Sequence, residues 1–126
     1  LLAKQFQKVL RVNMFQPKEE VYKALKSLGY SCQQGTQAIF TKVPAITFYV
    51  GENSPEYTLS NEIAKQDIEI VIDIFANKST DLSRILSEVE AKMRTINYRL
   101  TYVIDVPSPE GALFHTNCRF RAVKFK

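Results

Sequence analysis

The sequence predicts an α+β domain: an antiparallel or mixed β-sheet of about five strands, with two main helices packed on one face. Three observations lead there. Two segments carry apolar residues at helical spacing, several others alternate apolar and polar residues, and the order is helix, two strands, long loop, strand, helix, two strands. At 126 residues the chain is long enough for one core held by apolar burial alone.

Residues 2–10 place Leu2, Phe6, Val9 and Leu10 at helical spacing, with Lys4, Lys8 and Arg11 elsewhere around the wheel. Residues 1–13 are therefore expected to be a basic N-terminal extension, non-native or a short helix, and 14–126 a single α+β domain. The first confident helix opens at Pro17, whose fixed φ suits a first turn, followed by Glu19 and Glu20 where the macrodipole favours acids. Its stripe is Val21, Ala24, Leu25 and Leu28, and Gly29 ends it. A strand is expected near 37–42. Another is expected over Ile46–Val50, with Ile46, Phe48 and Val50 on one face, both short and hairpin-like.

Residues 51–65 have no clean period and hold Gly51, Pro55 and several turn formers, so the spacing predicts a long loop, a class often functional or mobile. The strongest strand starts at Gln66 or Asp67 and ends at Ala76. Ile68, Ile70, Ile72 and Ile74 make one aliphatic face, while Glu69, Val71, Asp73 and Phe75 make a mixed face that is expected to meet another chain or a loop. A second helix is N-capped by Ser79, Thr80 or Asp81 and runs to about Thr95. Its stripe is Leu82, Ile85, Leu86, Val89 and Met93, with Glu88 and Lys92 in the favourable i, i+4 order. Tyr98–Asp105 is the next strand, with Tyr98, Leu100, Tyr102 and Ile104 on one side. A turn over Val106–Gly111 leads to a last strand from Leu113 to about Lys124. There Phe114, Thr116, Cys118, Phe120 and Ala122 face inward, and His115, Asn117, Arg119 and Arg121 face outward.

The net charge of +4 invites a nucleic-acid reading, but the charge is unevenly spread. Lys4, Lys8 and Arg11 give the first 13 residues +3, Arg119, Arg121, Lys124 and Lys126 give the last eight +4, and residues 14–118 sum to −3. That is an internal dipole more than a polyanion-binding surface. No apolar run approaches the roughly 20 residues of a spanning helix, so no membrane partner is expected and the chain reads as soluble and intracellular.

Catalytic readings fail on spacing. His115 and Cys118 lie three apart on one strand and point to opposite faces, so they cannot pair as base and nucleophile. Cys32 has no second histidine to complete a metal site, and both cysteines read as small core residues. Asp73 and Asp105 could approach on adjacent strands, but facing charged pairs are common on sheets and nothing else marks a reaction centre. No phosphate loop, nucleophile elbow or zinc helix motif is present. No catalytic, cofactor or metal residues are assigned, and no enzymatic activity is expected.

Several strings in order resemble the tail terminator proteins of long-tailed bacteriophages and prophages, also called tail-completion or minor tail proteins. They are Leu28, Gly29 and Tyr30 at the first helix end, Val43 to Phe48, then Ile70 to Phe75 after a loop of about 15 residues. Ser79, Thr80, Val89 and Met93 follow, then Asp105, Val106 and Pro107, Phe114 and His115, and Arg119, Phe120 and Arg121. Residues 1–13 have no counterpart, and Phe75 stands where many relatives carry tryptophan. The resemblance implies a structural virion-assembly protein that caps the head-proximal end of the tail tube as a ring, commonly a hexamer. It would end tube polymerisation and form the interface to the head connector. The implied partners are copies of itself, the tail tube protein and the head-to-tail connector protein, with DNA passing through the lumen. The implied location is the virion tail, after assembly in host cytoplasm. Glu52, Tyr57, Glu62, Asp73, Phe75, Arg119 and Arg121 are the candidate subunit or tube contacts. Alternatives are another head-to-tail connector or tail-tube component, and an RNA-binding β-sheet module.

Overall fold

The computed structural model describes residues 14–35, 42–107 and 113–125. Helix α1 (Pro17–Lys26) has proline in its first turn, Glu19 and Glu20 at its positive end, and Lys23 and Lys26 at its negative end. It closes through Ser27, and Gly29 beyond it takes φ +90°, a left-handed conformation glycine enters without Cβ strain. Five strands follow: β1 (Ser31–Gln34), β2 (Ala45–Tyr57), β3 (Ile63–Ala76), β4 (Arg99–Val106) and β5 (Phe114–Phe125), with helix α2 (Ser79–Thr95) between β3 and β4.

The strands form one mixed sheet in the order β1-β2-β3-β5-β4. β1 runs parallel to β2, and the other three pairings are antiparallel. β1 was not expected from the sequence, and it forms a parallel edge pair in which Cys32 lies opposite Ile46. The strand expected near 37–42, all but Lys42, lies outside the described residues. So do the extension at 1–13 and most of the turn at 106–111.

Both helices cover one face of the sheet. Ile68, Ile70, Ile72 and Ile74 of β3 are all fully buried there, flanked by Ile46 and Phe48 on β2 and by Cys118 and Phe120 on β5. Val21 and Leu25 of α1 and Leu82, Ile85, Val89 and Met93 of α2 close the same core. Burying each of these side chains contributes roughly 1.5–3 kcal/mol, offset by the entropy of ordering the chain.

The largest departure concerns residues 51–65, which are a β-hairpin and not a long loop. β2 continues to Tyr57 and β3 begins at Ile63, leaving only 58–62 as a turn. The Thr58 hydroxyl accepts from the N–H groups of Ser60 and Glu62, and Asn61 takes φ 61°, a left-handed value asparagine tolerates. The period was hidden by register shifts at Val50/Glu52 and at Glu56/Tyr57, each of which moves the following side chains to the other face. Pro55 fits because β1 ends opposite Phe48, leaving the far half of β2 an edge that needs no outward N–H.

Helix α2 has the expected span and stripe but not the expected cap. Its N-cap is Lys78, with no side-chain hydrogen bond, and Asp81 pairs with Arg84 in the first turn. Along the helix the close ion pair is Glu90 with Arg94, while Glu88 accepts the Tyr30 hydroxyl. The C-terminus is a Schellman arrangement: Tyr98 N–H donates to the Met93 carbonyl, Asn97 N–H to that of Arg94, and Asn97 sits at φ 68°.

In β4 the expected face of Tyr98, Leu100, Tyr102 and Ile104 is broken. Tyr98 is buried ahead of the strand, and a bulge at Thr101 separates Leu100, opposite Phe120, from Tyr102, opposite Arg119. Leu100 therefore lies on the helix side, and Tyr102 and Ile104 on the other. Phe114, expected inward, is exposed because it is the first residue of β5, paired with the last residue of β3. Among the described residues no helix is long and apolar enough to cross a membrane.

Candidate functional site

The sheet face opposite the helices collects most of the chemistry. β3 presents Glu69, Val71, Asp73 and Phe75 there, because these alternate with the four core isoleucines. β5 contributes His115, Asn117, Arg119 and Arg121, and β2 contributes Ala45, Thr47 and Tyr49 and, past the bulge, Glu52. β4 adds Arg99, Tyr102 and Ile104 at the margin.

Two clusters organise this face. In the first, the Arg121 guanidinium donates to Glu69 at 2.8 Å and to Glu52 at 2.6 Å, and Arg119 reaches Glu69 at 3.5 Å. The Glu69 carboxylate is the largest cause holding the Arg121 guanidinium above its ordinary value, with Glu52 adding to it. The guanidinium of Arg119 also stands 5.6 Å from the Tyr102 ring centre. Two bases and two acids thus neutralise one another. In the second cluster, Asp73 Oδ1 lies 2.6 Å from His115 Nε2 and accepts from the Asn117 side-chain amide at 2.9 Å. The His115 ring stacks on Phe75 at 4.2 Å between centroids.

The structure brings five of the seven candidate contacts onto this face: Glu52, Asp73, Phe75, Arg119 and Arg121. Tyr57 and Glu62 stand apart, at the end of the β2–β3 hairpin, where Tyr57 and Leu59 are exposed. Val71, read from sequence as meeting another chain or a loop, is buried within this chain opposite Tyr49. Gly51 closes the other side: a Cβ there would lie 2.8 Å from Glu69 Oε1 and 3.0 Å from Val71 Cγ2.

Glu69, Asn117 and Tyr102 were not singled out by sequence reasoning. The alternation of β3 already placed Glu69 beside Asp73, so the strand period was the usable signal for it. The alternation of the last strand likewise set Asn117 outward, but its pairing with Asp73 depends on the β3–β5 register and the face of Tyr102 on the Thr101 bulge, which leave no local mark.

Asp73 and Asp105 do not approach each other. β5 lies between their strands, and Asp105 accepts from Thr116 on the helix side, whereas Asp73 belongs to the open face. His115 and Cys118 likewise point to opposite faces. Cys32 and Cys118 are free, buried thiols, pushed by burial to about 11 and about 12. Among the described residues no group of three or more His, Cys, Asp or Glu side chains is placed to hold a metal ion. No protein-family model matches the chain, and no curated protein matches it.

Proposed function

We propose that this chain is a structural, non-catalytic subunit of a ring that caps the head-proximal end of a phage tail tube, stops its polymerisation and meets the head connector. The observation that carries the reading is the β2–β3 hairpin. Among the described residues the last β3–β5 pair is Lys65 with Phe125, and the hairpin runs on past it from Tyr57 to Ile63 with Tyr57 and Leu59 exposed. Exposed apolar side chains on an ordered overhang suit a contact with a tube or an adjacent subunit, since a solvated turn would gain nothing from them. The sheet face on which neither α1 nor α2 packs offers a second surface for heterologous contacts around a ring.

The same hairpin favours a second reading, a tail-tube component or another head-to-tail connector, because a long ordered hairpin can line a ring. An RNA-binding sheet is less well supported: Arg119 and Arg121, its required cations, already face Glu69 and Glu52. The test adds the protein to its cognate tail tube protein during polymerisation and images tube lengths and ends by electron microscopy. A terminator shortens tubes, sits as a ring at one end, and loses both effects on Leu59→Asp. Incorporation along the tube wall would favour the tube-component reading, and tubes of unchanged length with bare ends would reject both.

A further inference from the structure

The two margins of the sheet are built differently. On one side β1 spans only four residues, and the far half of β2 is blunted by the Gly51 bulge, Pro55, Glu52 and Glu56. These are devices that keep an edge from pairing with another chain. On the other side, among the described residues, β4 is paired only with β5, contains neither proline nor lysine, and exposes three consecutive large apolar residues. Tyr102, Val103 and Ile104 are 47%, 41% and 47% exposed. Beside its start, an open groove of about 560 Å³ runs against the end of α2, lined by Glu90, Arg94, Asn97, Tyr98, Arg99 and Leu100.

We propose that β4 pairs antiparallel with β4 of a second copy of this chain across a two-fold axis, joining two five-stranded sheets into one of ten strands. Among the described residues only the β4 edge is left open to pairing, and a strand that pairs with the same strand of a second copy makes an isologous contact. The faces choose the register. Residues directly opposite must share a face. Val103 faces the helices and Tyr102 and Ile104 the open side, so Val103 meets Val103 of the second copy on the axis, and Tyr102 meets Ile104 at both ends.

Beyond the Thr101 bulge, the same register sets Asp105 opposite Leu100 of the second copy. Asp105 lies on the helix side, where it accepts from Thr116 at 2.8 Å. It therefore reaches the groove whose lining includes Arg99 beside the Glu90–Arg94 ion pair. The charges complement each other twice, once at each end of the contact. Each β4 gains partners for its outward backbone groups, in the manner of strand addition to a sheet edge. A contact one strand wide is smaller than a standard interface of about 1,600 Å², so the dimer is concentration-dependent. This inference does not rest on the ring reading, which uses different contacts.

Sedimentation velocity over a concentration series tests it, with circular dichroism as the folding control. The expected result is a monomer–dimer equilibrium that Val103→Lys shifts at least tenfold toward monomer at unchanged circular dichroism. Asp105→Lys should weaken it too, and Arg99→Glu in the same chain should restore it. Val103→Cys provides a second measurement, because residues on a two-fold axis cross-link to themselves. Mild oxidation should give covalent dimers and nothing larger, while Thr80→Cys on α2 gives none. A wild-type monomer at the highest concentration, a dimer indifferent to Val103→Lys, or Val103→Cys that fails to cross-link would each overturn the proposal.

Discussion

Single side chains show how burial changes ordinary chemistry here. Cys118 packs in the core with its Sγ 3.5 Å from the Ile72 carbonyl, and its thiol is pushed up from 9.0 to about 12 by burial, with Asp73 adding to the rise. Cys32 rises from 9.0 to about 11 for the same first reason, and burial, followed by Glu20, pushes the Tyr98 hydroxyl in the same direction. Below pH 9 these groups hold their protons in both states, and the stability they contribute is fully present. Above pH 9 the unfolded chain releases thiol protons that the folded chain retains, so stability falls as pH rises toward 11 and 12. Thermal melts should be level near pH 7–8 and decline beyond pH 9, with Cys118→Ala flattening part of the decline. Ellman's reagent at pH 8 should label neither thiol until denaturant is added. Fast labelling of the native chain would contradict their burial. Strand alternation made Cys118 legible as a core residue, whereas Cys32 was read as one from its residue type. The size of the shifts depends on which strands cover them.

At the scale of elements, helix α2 illustrates how local signals can be outvoted. Three capping residues, Ser79, Thr80 and Asp81, follow one another, yet the helix starts with Lys78 as N-cap and no side-chain hydrogen bond to its first turn. A lysine there also places a positive charge at the positive end of the helix macrodipole. Lys78→Asp should therefore stabilise the protein by about 1 kcal/mol, seen as a higher urea midpoint with an unchanged slope. A lower midpoint would show that Lys78 makes a contact worth more than a cap. The β2–β3 hairpin shows the converse. Its strands were legible where β1 or the helices cover them, over Ile46–Val50 and Gln66–Ala76. They were illegible where both faces are wet and two register shifts interrupt the alternation, since periodicity reports burial and the outer hairpin has little. The parallel pairing of β1 with β2 is invisible in the same way, because four residues with one buried cysteine carry no directional signal.

For the whole molecule, one core joins every element. Val21 and Leu25 from α1, Phe48 from β2, the isoleucines of β3, Ile85 and Val89 from α2 and Phe120 from β5 belong to a single buried cluster. Unfolding should then be one cooperative transition, and Ile72→Ala, at the centre of that cluster, should cost about 3–4 kcal/mol without splitting it. Two separable transitions would mean that the hairpin or an edge folds independently. The charge asymmetry seen in the sequence survives in altered form: the basic final strand is present, but Arg119, Arg121 and Lys124 are answered by Glu69, Glu52 and Glu20 within the same chain. By itself the sequence determined the fold class, the two helices, the aliphatic face of β3 and the alternation of β5, because each is a repeating pattern of burial written along one segment. Only the tertiary structure decided the strand order, the parallel edge, the neutralised arginines, the hairpin at 51–65 and the open edge of β4. Each of these depends on which segments lie side by side, and a bulge of one residue is enough to reverse the faces that pairing presents.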